Sequence, residues 1–143
     1  MPALIVEFDP PGEPPTTFGG ETAPLIYFLS FAYAARYGAQ HELSIVTGLL
    51  RDKHKIDLKP LLTFADHAAQ DEADRQELER VWQDAAPLSE CCRRVVEAIE
   101  ADAAIREQLG DFPALRDRIE ELGRIASWAA EGGRRVRLTY TMD

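Results

Sequence analysis

Nine consecutive residues, Arg51-Asp52-Lys53-His54-Lys55-Ile56-Asp57-Leu58-Lys59, hold every lysine of the chain. Four Lys/Arg stand there against two Asp, a net of +2 in a protein whose formal net charge is −9. The run leads into a predicted helix N-terminus, where free N–H groups and the helix dipole favour anions. Arg51, Lys53, His54, Lys55 and Lys59 are therefore candidates to hold a phosphate, an acidic ligand or a partner's acidic patch. The ordinary alternative is a solvated turn between helices.

Metal chemistry has one candidate set. His67, Asp71 and Asp74 share a face if a single helix runs through them, and a histidine with two carboxylates can hold a divalent ion once another segment closes the site. A second His-carboxylate pair, as helical di-metal bundles use, is missing, and Asp71 stands four residues before Arg75 in the favourable order for a helical ion pair. The solvated-face reading is therefore preferred. His41, His54 and His67 recur every 13 residues. On a continuous helix that step leaves about 220° after whole turns, so neighbours would face nearly opposite ways. Cys91-Cys92 lies on an apolar stripe and belongs to no CxxC motif, so it reads as core packing. Arg134, Arg135 and Arg137 are expected to pair with Glu7 and Asp9 on a neighbouring strand and with the C-terminal end of the fifth helix. The chain has no Walker loop, GxGxxG, HExxH, GxSxG or zinc-spaced Cys/His set. Gly19-Gly20, ahead of a helix, is a weak phosphate-loop signal at most.

Several elements must position these groups. Ala3–Asp9 alternates as a strand, with Leu4, Val6 and Phe8 on one face. Residues 10–21 form a Pro/Gly-rich surface connection. A first helix is predicted over Thr22–Tyr37, capped by Thr22 and ended by Gly38, and a second over Gln40–Lys53. The first is apolar on most sides, which suits a central helix or an oligomer interface, with Phe28, Phe31 and Tyr140 as interface candidates. A third helix, capped by Asp57, follows Leu61, Leu62, Ala65, Ala68 and Ala69. A stripe of Leu78, Val81, Trp82 and Ala85 then either continues it or starts afresh at Asp74-Arg75-Gln76-Glu77. The fourth helix carries Leu88, Cys91, Cys92, Val95, Val96 and Ile99, with a bend expected near 101–104. The fifth, capped by Asp111, carries Leu115, Ile119, Leu122, Ala126 and Ala129 and stops at Gly132-Gly133. Residues 134–142 alternate as a second strand. Two lone strands leave backbone groups unpaired, so they are expected to pair with each other, with a homodimer across a free edge as an extension.

The expected fold is mainly α: a single domain, 1–143, in which a bundle of about five helices (22–132) packs on a small two-stranded β element made by the termini. Of 143 residues, 45% are hydrophobic. That supports one folded domain and disfavours disorder. The longest apolar segment, Ala23 to Ala35, is short of a bilayer core, and the first apolar stretch is too short for a secretory signal. A cytoplasmic, bacterial protein is the default. Residues 66–131 hold 17 acidic and 8 basic residues, the entire charge excess, which argues against general nucleic-acid binding. The leading expectation is a non-enzymatic interaction or regulatory module that meets a basic protein partner through an acidic helical surface. The second is a small-ligand or metal-binding helical protein or enzyme, with helix-1 aromatics lining a pocket. The third is a nucleoprotein subunit using residues 51–59. No cofactor is indicated.

Overall fold

The computed structural model describes residues 2–34 and 41–142. The predicted end of the first helix (Tyr37, Gly38) and the start of the second (Gln40) lie outside the described residues. The described elements are β1 (Ala3–Asp9), α1 (Ala23–Ala34), α2 (Glu42–Gly48), a π-helical turn (Leu49–Lys53), α3 (Lys59–Leu62), β2 (Phe64–Asp66), α4 (Glu72–Arg80), β3 (Trp82–Asp84), α5 (Ala85–Ala101), α6 (Ala103–Gln108), α7 (Leu115–Glu131) and β4 (Arg135–Thr141). The protein is mainly helical, with a four-stranded sheet.

The terminal strands pair as expected. β1 runs antiparallel to β4 from Ala3↔Thr141 to Asp9↔Arg135. The register places Glu7 opposite Arg137 and Asp9 opposite Arg135. Arg137 donates to both Glu7 oxygens at 3.2 and 3.1 Å, and Arg135 to Asp9 at 2.8 Å. Leu4, Val136 and Leu138 turn to the core, where they meet Leu25, Phe28 and Leu29 of α1 and the stripes of α5 and α7.

Among the described residues the sheet nevertheless has four strands, which corrects the two-stranded expectation. The opposite edge of β4 is shared end to end. β2 pairs parallel with Leu138–Tyr140, and β3 antiparallel with Arg135–Arg137. The predicted third helix is accordingly broken into α3, β2, α4 and β3. An apolar run as short as Leu61–Ala65 fits helix or strand equally well. The deciding factor is the second edge of β4, whose N–H and C=O groups need partners once β1 has taken the first.

Local caps also differ from expectation. The Thr22 hydroxyl accepts from Leu4 N–H at 2.9 Å, tying β1 down instead of capping α1. α4 begins at Asp71, whose carboxylate accepts from Asp74 N–H at 2.9 Å while Asp74 accepts from Gln70 N–H at 3.0 Å. This reciprocal cap lies three residues before the expected box. Asp111 does not cap the last helix. Two successive turns carry the chain to Ala114, and α7 starts at Leu115. The bend near 101–104 is present: Asp102 takes an extended conformation (φ −118°, ψ 105°) that ends α5 and starts α6. Gly133, at φ +67°, ends α7 in the left-handed region that glycine adopts without a Cβ penalty.

Against Cys92 and Ser89 of α5, α7 packs so closely that a Cβ on Gly123 would sit 2.9 Å from the Cys92 Cβ. Among the described residues, no helix is long and apolar enough to cross a membrane.

Candidate functional site

The acidic excess is not spread evenly over the helices. Residues 66–84 contain seven acids and two arginines, a net of −5, while 85–131 contain ten acids and six arginines, a net of −4. On α5 and α7 the acids are largely answered. Arg93 bridges Glu90 and Glu97, Arg116 reaches Glu100, Asp117 and Glu120, and Arg118 pairs with Glu121 at 2.5 Å. The first segment is different. None of the nine residues of α4 is buried. The side chains of Glu72, Glu77 and Glu79 are 70%, 57% and 76% exposed, and their arginine partners are one i,i+3 neighbour each for Glu72 and Glu77 and Arg137 at 3.9 Å for Glu79. Exposed pairs of this kind contribute about 0–1 kcal/mol and leave the field of the acids in place. α4 is held to the sheet chiefly by Leu78, half-buried, whose carbonyl accepts from Arg137 at 3.3 Å. Arg137 in turn lies over the Trp82 ring at 4.5 Å.

The basic turn is tied inward by one buried carboxylate. Asp102 is 6% exposed. Its Oδ2 lies 2.7 Å from His54 Nε2 and 2.9 Å from Lys53 Nζ, and its Oδ1 accepts from Ala104 N–H at 3.0 Å. The His54 hydrogen bond and then the Lys53 ammonium hold the Asp102 carboxyl well below the usual carboxylate range, against the opposing pull of desolvation. An ionised carboxylate only accepts, so His54 Nε2 carries the hydrogen. Arg94 donates to the His54 carbonyl at 3.3 Å, closing the clamp from α5. Two of the five predicted anion ligands are thus turned onto an internal anion. Arg51 is paired with its neighbour Asp52 at 3.0 and 3.2 Å. Lys55 and Lys59 are exposed, Lys55 in a left-handed conformation (φ 57°) that non-glycine residues seldom adopt. Asp102 had no signal in the sequence beyond its place at the expected bend.

The proposed metal set is not assembled. Its premise was one continuous helix, and β2 and the turn at His67 interrupt it. Both aspartates serve backbone N–H groups at the start of α4, whereas His67 Nδ1 lies 3.1 Å from Thr139 Oγ1. Among the described residues, no three His, Cys, Asp or Glu side chains are placed to hold a metal ion. The expected Asp71–Arg75 pair is replaced by Glu72–Arg75. His67 also has Glu7 Oε1 at 4.0 Å, but hydroxyl and carboxylate face the same ring nitrogen. A relay needs them on opposite nitrogens, and Thr139 is fully buried.

Cys91 and Cys92 lie in the core, both free. Burial pushes the Cys91 thiol up to about 12 and Cys92 well above its ordinary value, so both stay neutral and inert. Of the three interface candidates, Phe28 is 1% exposed and belongs to the core, which corrects its assignment to a surface. Phe31 stacks on the His41 ring at 3.8 Å, and Tyr140 meets Phe64 edge-on at 5.9 Å. Phe31 and Tyr140 are half-buried.

No family model, curated protein or solved structure matches the chain.

Proposed function

We propose that this protein is a cytoplasmic, non-enzymatic interaction module whose acidic helical surface, centred on α4, docks a basic protein surface. One observation carries the reading: residues 66–84 hold seven acids against two arginines, four of the acids on α4, a helix that buries none of its residues. A nine-residue helix is marginal by itself in water. A polar helix of that length which contributes nothing to the core adds little to the fold. Its acids ring an exposed helix, Glu72 and Glu79 on one side and Glu77 on the other, and such a field steers a cationic partner. The partner favoured is therefore rich in Lys and Arg.

The test uses a deca-arginine peptide titrated into the 15N-labelled protein. Shifts should concentrate on residues 66–84, and the affinity should fall steeply with salt. The triple variant Glu72→Lys, Glu77→Lys, Glu79→Lys reverses the local field while leaving the Asp71 and Asp74 caps in place, and it should lose the binding. Equal binding by the triple variant, or shifts centred on α5 and α7, would overturn the proposal.

A further inference from the structure

Beside the basic turn, on elements other than α4, an open cleft of about 540 Å³ runs between α1, the α2–π-turn segment and α3. That volume falls within the range of small-ligand sites, about 300–1,000 Å³. Its wall is apolar: Ala32, Ile56 and Leu58 are 2%, 3% and 6% exposed, and Leu62 is half-buried. Arg51 and Lys59, both exposed, stand among the lining residues. The hydroxyls of Thr47 and Thr63 in the lining are already donated to the carbonyls of Leu43 and Lys59, each at 2.8 Å. Asp57, the acid of the lining, accepts from Lys59 N–H at 3.0 Å.

The backbone around this cleft is unusual in two independent ways. The helix changes to π geometry over Leu49–Lys53, an arrangement found mostly as short insertions and frequently at functional sites. Lys55 is then held at positive φ, a conformation that persists only where the surroundings enforce it. Just before it, Lys53 and His54 are clamped on Asp102. The clamp turns the Lys53 ammonium and the His54 ring away and leaves Arg51 and Lys59 for the cleft. Among the described residues, no carboxylate lies within ion-pairing distance of the Lys59 ammonium. The Arg51–Asp52 pair is solvent-exposed, so a second anion can share that guanidinium at little cost.

We propose that this cleft binds a small amphipathic anion, its apolar body against Ile56, Leu58 and Leu62 and its charged head on Arg51 and Lys59. The cations and the half-buried Leu62 edge together select that class: a neutral apolar molecule leaves the cations unanswered, and a purely polar anion gains nothing from the apolar lining.

Octanoate is the probe, with 1-octanol as its neutral counterpart, both titrated into the 15N-labelled protein. Octanoate is expected to give saturable shifts confined to Ala32 and residues 47–63, with 1-octanol at least about tenfold weaker. The double variant Arg51→Glu, Lys59→Glu should weaken octanoate by about tenfold or more, a change of about 1.4 kcal/mol. Leu62→Trp, which fills the cleft from its half-buried edge, should abolish binding of both probes. Spectra that are otherwise unchanged show that each variant folds. Shifts scattered over the surface, equal affinity for octanol, or undiminished octanoate binding by the charge-reversed variant would each overturn the proposal. Deca-arginine shifts at α4 should persist in Leu62→Trp, which alters no charge, so the two proposals stand or fall separately.

Discussion

α5 with α7 and the segment around α4 are built from similar amounts of charge, yet they do opposite work. α5 buries Leu88, Cys91, Cys92, Val95, Val96 and Ile99. α7 answers with Leu115, Ile119, Leu122, Ala126 and Ala129. Their outward acids are gathered by Arg93, Arg116 and Arg124 into ion pairs along the helix flanks. α4 has a reciprocal cap, two i,i+3 ion pairs and no buried residue. Stability resides in the first pair because burying apolar area is the dominant favourable contribution to folding. In the second region Asp71 and Asp74 serve as caps, and Glu72, Glu77 and Glu79 are left largely exposed. In this molecule an acidic helix that packs no core residue keeps its charge exposed, and one with a buried face has its charge gathered into ion pairs.

Substitutions can break this contrast. The largest effect is expected from Leu122→Ala, at the fully buried α5–α7 seam: about 2–5 kcal/mol of lost stability by chemical denaturation. Leu78→Ala on α4 should cost less than about 1 kcal/mol, and equal losses at the two sites would remove the distinction. Gly123→Leu forces a side chain against the Cys92 Cβ and should cost about 1–3 kcal/mol. A neutral result there would mean that the helices can separate freely. Asp71→Ala removes the α4 cap and should cost about 0.5–2 kcal/mol if α4 melts with the whole protein. If α4 opens alone, hydrogen exchange accelerates at residues 72–80 while the global transition stays put, which sharpens the contrast further. The smallest effect belongs to Glu72→Lys, Glu77→Lys, Glu79→Lys, under about 1 kcal/mol, because only exposed pairs are lost.

Alkaline pH separates the regions too. Cys91 is pushed up from 9.0 to about 12 by burial. Its raised value in the folded state favours the fold fully below pH 9, and that contribution is lost as pH rises from about 9 to about 12, where the unfolded thiol ionises and the folded one does not. Cys91→Ala should flatten the fall in stability across that window. An unchanged pH profile would show that the thiol is not held in the core.

What could be read along the chain was what depends on neighbours. The stripes of α5 and α7 need only the i+3 and i+4 positions, and both were legible. So was the pairing of Glu7 and Asp9 with Arg137 and Arg135, because alternation places each charged set on one face of its strand. The candidate site was legible only in part. The basic run stood out by composition, but that Lys53 and His54 turn inward depends on Asp102, 48 residues beyond His54. The His67–Asp71–Asp74 set failed because its spacing assumed a helix that the sheet interrupts.

The amino-acid sequence by itself therefore determined a mainly helical chain, the two core-forming helices, the terminal strand pair and the bend at Asp102. These follow from propensity and periodicity, which act over one or two turns. Only the tertiary structure decided that Phe64–Asp66 and Trp82–Asp84 are strands, since their backbone partners lie on β4, more than fifty residues away in the chain. It also decided which acids are neutralised and which are left to face solvent. Charge is written residue by residue, but its compensation depends on which side chains the packed core brings within reach.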